Sequence, residues 1–360
     1  MPGDTAFLLV SFGGPEGRDE VMPFLRNVTA GRGVPDDRLA KVAEHYYLFD
    51  GISPINGQCR DLLGAIEKDF AATGIDLPVY WGNRNWRPYL SDTMQAMAQD
   101  GIRHVIAFAT SAYSSFSSCR QYLDDIDRAR DAAGARAPAV LKIPPYYRHP
   151  GFIESFTAAA ARAIASLPAE VADRADLVFT AHSIPESMAV SSGPQPTAAP
   201  AGGAYAAQLA QAAGMVAAAL GRPRWRLAYQ SRSGPPSVPW LGPDINDCLT
   251  QLAAEGSRAI CLVPIGFVSD HMEVIFDLDV EAASKARQLG LPMARAATPG
   301  TDPRFVSMIS ALVREFAAGR AAGAVAALGP VAVTYCTAGC CGSGADRSAG
   351  WLARGPGDRG

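Results

Sequence analysis

The chain has 360 residues, of which 48% are hydrophobic and 19% are charged, and its formal net charge at pH 7 is −3. This composition is typical of a globular protein and excludes a disordered chain, a disulfide-built scaffold and a basic nucleic-acid-binding surface. No apolar run reaches the ~20 residues of a membrane-spanning helix and no signal peptide is evident, so we expect a cytoplasmic protein without stable membrane insertion.

Short apolar runs alternate with helical patterns along the chain, which is typical of parallel sheets covered by helices. The predicted strands are Phe7–Ser11, Val79–Trp81, Val105–Ala109, Val140–Ile143, Leu177–Thr180, Leu227–Tyr229 and Ile260–Pro264. Between them we predict helices that include Phe152–Ala165 and Tyr205–Leu220, with a last helix at about Pro303–Ala318. The segment 191–204 is rich in proline, glycine and alanine and is predicted to be a surface loop.

The two halves of the chain resemble each other. LLVSFGGP (8–15) matches LVFTAHSIP (177–185), and VYWGNRNWRP matches LAYQSRSGPP. We therefore predict two similar α/β lobes, 1–150 and 151–325, followed by a tail, 326–360. The match places Phe12 and His182 at equivalent strand ends, where ligands bind in open α/β sheets. The alternative is that unrelated α/β units share this much similarity.

His182 directly follows a predicted strand and precedes a polar turn. This position favours a side chain in a cleft, although a core histidine bonded to the backbone is the alternative.

A second polar cluster lies in VPIGFVSDHMEVIFDLDVEA (263–282). A helix that starts at about residue 269 or 270 would place Glu273, Asp277 and Glu281 along one face. Such a row is either a solvated acidic face or an oxygen-lined path for a divalent cation, and the flanking apolar residues favour the path. His271 is expected to point away from Glu273 on this helix. No HExxH motif is present, which excludes the common zinc-protease site.

Cys336, Cys340 and Cys341 crowd together near the end of the chain. In a cytoplasmic protein, such a group of cysteines indicates ligation of a metal or a metal cluster more strongly than it indicates disulfide bonds.

Several of these segments are shared with a known family. They are LLVSFGGP, YYLFDGISPINGQ, FTAHSIPESM, YQSRSGPPSVPWLGP and VPIGFVSDHMEVIFDLDVEA. In their order and spacing they resemble the ferrochelatases, from about residue 6 to 318. The resemblance implies a chelatase-like fold of two Rossmann-like lobes, with a porphyrin in the cleft between them. It also implies that His182 and Glu273 handle the iron and that Asp277 and Glu281 supply the iron to them. Which of His182 and Glu273 accepts the pyrrole protons stays open.

The resemblance further assigns contacts with the porphyrin. Ser53 and Tyr122 match positions that contact its carboxylates or its ring, Tyr46 matches another ring contact, and Arg32 lies in a loop that often supplies a basic group. Phe12 stands where some members carry an iron-ligating tyrosine. Because phenylalanine has no donor atom, we expect that axial contact to be absent or mediated by water.

Some ferrochelatases hold a [2Fe–2S] cluster with C-terminal cysteines and one from the middle of the chain. By this resemblance, the cluster ligands would be Cys119, Cys336, Cys340 and Cys341. A structural zinc site and a tail of idle thiols are the alternatives.

The predicted reaction is insertion of Fe²⁺ into coproporphyrin III. Its four propionates keep this porphyrin water-soluble, which suits an enzyme without an apolar membrane-facing surface. The composition and the CTAGCC tail also resemble actinobacterial enzymes of this type. Protoporphyrin IX as substrate, and cobalt or nickel as metal, are the alternatives. A nucleotide enzyme is disfavoured because no GxGxxG or P-loop motif follows a strand. A metallophore-binding module is disfavoured because no export signal is evident. We expect a monomer.

Overall fold

The computed structural model describes residues 3–31, 33–193, 202–233, 237–321, 331–332 and 340. The strands are β1 Thr5–Ser11, β2 Val79–Asn83, β3 His104–Ala109, β4 Ala139–Lys142, β5 Asp176–His182, β6 Trp225–Gln230, β7 Ile260–Val263, β8 Met293–Arg295 and β9 Val331–Ala332. The helices are α1 Arg18–Val28, α2 Asp36–Tyr47, α3 Ile55–Thr73, α4 Leu90–Gln99, α5 Gln121–Ala133, α6 Pro150–Ala165, α7 Ala169–Ala172, α8 Glu186–Ser191, α9 Gly203–Ala219, α10 Ile245–Ala254, α11 Met272–Val274, α12 Ala283–Gln288 and α13 Pro303–Ala321. Phe116–Arg120 and Ile275–Ala282 are π-helical, and Gly134–Arg136 is a 3₁₀ turn.

The strands form two parallel sheets with related topologies. The first has the order β2-β1-β3-β4-β9 and the second has the order β6-β5-β7-β8. In each sheet the first strand in sequence is flanked by the next two, and its last residues pair with the neighbouring strand end, Ser11 with Asn83 and His182 with Gln230. These sheets confirm the predicted α/β class with two Rossmann-like lobes, and every predicted strand is present.

The central strands are buried along nearly their whole length because helices cover both faces of each sheet, and their middle residues are mostly apolar. All seven residues of β1 are buried, and so are most residues of β5. The strands β8 and β9, which the sequence did not predict, have only three and two residues and lie at sheet edges, where a short run carries little periodic signal.

One large hydrophobic core joins the two sheets. Phe152 of α6 lies 6.1 Å from the ring of Tyr113, which follows β3, and 6.4 Å from Phe305 of α13. The same buried cluster contains Phe7 of the first sheet and Phe179 of the second. The lobes therefore share their packing, and the boundary at residues 150 and 151, like the extent of the tail, stays a prediction.

The helices that the structure describes include none with the length and apolarity needed to cross a bilayer.

Candidate active site

His182 is the last residue of β5, which places its ring at the carboxyl end of the second sheet. Its Nδ1 bonds the carbonyl of Ser183, and because a carbonyl only accepts, this bond assigns the hydrogen to Nδ1. The other ring nitrogen, Nε2, lies 3.4 Å from Oε2 of Glu273. The buried phenol of Tyr205 donates to the main-chain oxygen of His182 at 3.1 Å and holds the strand end in place.

Glu273 lies in the first turn of a continuous helix, residues 272–288, that we call the acidic helix. This helix begins at Met272, later than predicted, and His271 precedes it in an extended conformation. Consequently His271 does not point away from Glu273 as expected. Its Nδ1 lies 4.0 Å from Oε2 of Glu273, so both imidazoles lie near the same carboxylate oxygen.

The acidic helix is π-helical over Ile275–Ala282, where the sequence predicted a regular α-helix. The wider turn of a π-helix still leaves residues four apart on roughly the same side. Asp277 accepts hydrogen bonds from the hydroxyl of Ser231 and, at 3.4 Å, from Nε2 of Gln230. Glu281 is exposed. The row of acids therefore runs from the contact with His182 to Glu281. The side chain of Glu273 is half-exposed, and both Glu273 and Asp277 have specific partners.

Electrostatics separate the roles of these groups. Burial alone would lower the pKa of His182, but the hydrogen bond and charge of Glu273 outweigh it and raise that pKa. Burial would likewise raise the pKa of Glu273, but His182 and His271 hold it well below its usual range. Without metal, the pair therefore favours imidazolium and carboxylate. For Asp277, burial and the charges of neighbouring Glu273 and Glu281 outweigh the hydrogen bond from Ser231 and raise the pKa to about 7.

The first lobe faces this pair with an aromatic wall. Phe12, Phe24, Tyr46 and Trp86 pack in one apolar cluster that also contains Met272, the residue before Glu273. Burial raises the pKa of Tyr46, and the negative charge of Glu273 raises it further, which places the Tyr46 phenol within electrostatic reach of that carboxylate. The wall and the acidic helix therefore meet at the site.

Two other predicted contacts lie in or behind this wall. The guanidinium of Arg84 lies 4.6 Å from the ring centroid of Tyr122 and 5.7 Å from that of Phe12, and it pairs with Asp125. Tyr122 is only 4% exposed.

Ser53 is also buried, and its main-chain nitrogen donates to the carbonyl of Pro15 at 2.8 Å. A Cβ on neighbouring Gly14 would lie 2.7 Å from that of Ser53, so the two segments touch. Arg32 lies outside the described residues. Contact of any of these residues with a porphyrin stays a prediction.

The sequence interpretation missed several residues of the site. Gln230 ends the strand beside His182 and Ser231 follows it. Both could have been found because parallel strands end at one edge of a sheet. His45 stacks on Phe276 of the acidic helix, with ring centroids 3.7 Å apart, and Arg84 lies beneath Phe12. No local pattern marks these two, since their partners are distant in sequence.

The predicted [2Fe–2S] cluster is wrong. In the part of the chain that the structure describes, no group of three or more histidine, cysteine, aspartate or glutamate side chains could hold a metal. Cys119 is buried, with the ammonium of Lys142 3.9 Å from its Sγ, and Cys340 is a free thiol. Cys336 and Cys341 lie outside the described residues. A cluster needs about four ligands brought together, and the described cysteines do not supply them.

Comparison with known proteins gives a consistent result. The ferrochelatase family model matches residues 4–317. A coproporphyrin III ferrochelatase of Streptomyces coelicolor is 51% identical, over 96% of this chain and 95% of its own length. The protein of that name from Nocardia farcinica is also 51% identical, over 93% of this chain and 96% of its own length.

Among solved structures, SirB from Bacillus subtilis with Fe³⁺ covers 89% of this chain, and this chain covers 98% of SirB. The TM-score is 0.54 at 12% sequence identity, which is a likeness of fold. The family match spans both lobes and includes His182 and the acidic helix. The chain belongs to the ferrochelatase family.

Proposed function

We propose that this protein inserts Fe²⁺ into coproporphyrin III. The observation that carries the proposal is the pair of His182 and Glu273, which lies at a strand end opposite the aromatic wall of Phe12 and Tyr46. Relatives of about half-identical sequence over nearly the whole chain carry the name of this activity.

The acids of the acidic helix give the metal a path. Exposed Glu281 meets Fe²⁺ first, Asp277 follows, and Glu273 delivers the ion to His182. Carboxylate oxygen and imidazole nitrogen both bind Fe²⁺, so the ion exchanges its water ligands stepwise for protein ligands. Burial, with a further contribution from the like charges of Glu273 and Glu281, raises the pKa of Asp277 to about 7, and a bound cation relieves the repulsion between these charges.

The porphyrin must lose its two pyrrole protons as the metal enters. In the metal-free pair the carboxylate of Glu273 is the free acceptor, because His182 favours its protonated form. His182 can accept a pyrrole proton only after it has lost its own. Packing against the rigid aromatic wall favours a bent macrocycle, whose nitrogen lone pairs are better exposed to the ion. Phe12 presents no donor atom from the wall side, so protein ligation of the metal comes from the side of His182.

The substrate follows from charge. Coproporphyrin III carries about −4 at neutral pH and protoporphyrin IX about −2, given ordinary carboxyl pKa values. Each desolvated, charge-assisted hydrogen bond contributes about 1.5–3 kcal/mol, so the loss of two propionates lowers kcat/KM by about 10²-fold or more.

An anaerobic assay with Fe²⁺ and each porphyrin in turn tests this choice. It is run without detergent and then with detergent. The detergent prevents aggregation of the more apolar protoporphyrin IX, which would lower its apparent kcat/KM. We expect kcat/KM to be about 10²-fold higher for coproporphyrin III in both conditions. Comparable values for the two porphyrins in detergent would instead support protoporphyrin IX as the substrate.

A cytoplasmic location and a monomeric state stay predictions from the sequence.

A further inference from the structure

We propose that Gln58, Asp270 and Arg295 form a clasp that positions the acidic helix against the porphyrin-facing wall. The proposal rests on the proposed function, since it concerns the same site. In the proposed mechanism these residues contact neither the porphyrin nor Fe²⁺, and they would act through Glu273.

The first part of the clasp joins the two lobes. Gln58 lies in the first turn of α3, directly after the turn that carries Ser53. Its Oε1 accepts from the main-chain nitrogen of Asp270 at 2.8 Å, and its Nε2 donates to the Asp270 carboxylate at 3.4 Å. One side chain of the first lobe therefore holds both the backbone and the side chain of a residue just before the acidic helix.

The second part of the clasp lies within the second lobe. Arg295, at the end of β8, donates to Asp270 at 3.1 Å and to Asp279 at 2.6 and 2.9 Å. The side chain of Arg295 is only 16% exposed and that of Asp270 only 14%, so the bond between them is shielded from water, whereas the Asp279 side chain is partly exposed. Because Asp270 precedes the acidic helix and Asp279 lies inside its π-helical segment, one guanidinium fixes two points on either side of Glu273.

The arrangement has a mechanical consequence. A π-helix is less stable than an α-helix, so its position depends on external bonds. The clasp runs from α3 through Asp270 and Arg295 to the middle of this segment, and thereby sets the distance between Glu273 and the wall. A misplacement of about 1 Å in a reacting group lowers rates by about 10²-fold, so a loosened clasp should reduce turnover more than porphyrin binding.

The test compares Gln58→Leu, Arg295→Gln and the double variant with wild type. Porphyrin Kd is measured by fluorescence quenching without metal, and kcat and KM for Fe²⁺ are measured anaerobically per folded protein. We expect kcat to fall about tenfold in Gln58→Leu and further in Arg295→Gln, with porphyrin Kd within about twofold of wild type. The double variant should lose less than the product of the two single losses, because both residues hold Asp270.

Gln251→Leu and Arg226→Gln are matched controls in the second lobe. They remove exposed contacts to Glu255 and should leave kcat unchanged. A lowered melting temperature with wild-type kcat would overturn the proposal, as would a loss of kcat matched by weaker porphyrin binding. If Arg295→Gln does not fold, Gln58→Leu decides the outcome alone. Failure of the wild type itself to insert iron would instead contradict the proposed function.

Discussion

Glu273, Asp277 and Glu281 share a spacing of four residues but differ in their surroundings. Glu273 faces His182, Asp277 is held by Ser231, and Glu281 reaches solvent. Equal spacing in the sequence therefore hides different surroundings. The side chain of Glu273 is half-exposed beside His182, and Asp277 is less exposed than either of its neighbours in the row. A row of carboxylates suits a path for a hydrated cation, since each step replaces water by a protein oxygen.

Substitutions along this row should have graded effects. Glu273→Gln should lower kcat by about 10²-fold or more, because it removes a proton or metal acceptor beside the porphyrin. Asp277→Asn and Glu281→Gln should mainly raise KM for Fe²⁺, since these residues lie farther along the path. Steady-state kinetics with varied Fe²⁺ measure both effects. Equal losses of kcat at all three positions would contradict a graded path.

The residues of the site were predictable to different degrees. His182 and Glu273 lie in segments that resemble the ferrochelatases, and the structure brings their side chains to 3.4 Å from each other. Their roles in iron insertion stay predictions. His45 and Arg84 were missed because each meets its partner only through the tertiary fold. The cluster prediction failed for a related reason, because cysteines close in sequence do not show whether distant Cys119 joins them.

At the scale of elements, the strands were predictable and the acidic helix was predicted only in part. Strands such as β1 and β5 are buried on both faces, and a mostly apolar run marks them directly. A π-helix has no comparable signature, since its apolar spacing differs little from that of an α-helix over two turns. The start of the acidic helix was predicted too early because the extended conformation of His271 depends on its surroundings.

The loop that follows β7 depends on a close approach to β5. A Cβ on Gly266 would lie 2.6 Å from the Cβ of Ala181, the residue before His182. Gly266→Ala should therefore destabilise the protein by about 1–3 kcal/mol and lower kcat, as the loop shifts away from the strand end. Chemical denaturation and steady-state kinetics measure the two effects.

Gly214→Ala is the matched control. Its Cβ would lie 3.7 Å from the Trp225 ring, an ordinary contact, within helix α9. This change should stabilise the protein by about 0.5–1 kcal/mol without changing kcat. A wild-type stability and kcat for Gly266→Ala would show that the close approach has no role.

At the scale of the whole molecule, the shared core predicts cooperative unfolding. Phe152 is fully buried and contacts aromatic rings that include Tyr113 and Phe305. Phe152→Ala should destabilise the protein by about 3–5 kcal/mol and shift a single transition, because its cavity lies in a core common to both sheets. Calorimetry and circular dichroism should give coincident transitions. Two separate transitions, only one of them shifted, would mean that the lobes unfold independently.

The central claim is that the pair of His182 and Glu273 between the lobes inserts iron. The most direct measurement is anaerobic insertion of Fe²⁺ into coproporphyrin III by wild type and by His182→Ala, followed from the visible spectrum, with porphyrin affinity measured in parallel. The account predicts fast insertion by the wild type, loss of insertion in His182→Ala, and porphyrin Kd values within about tenfold of each other, because the imidazole handles the metal and protons and does not hold the ring. A His182→Ala variant that keeps more than about a tenth of wild-type turnover would contradict it.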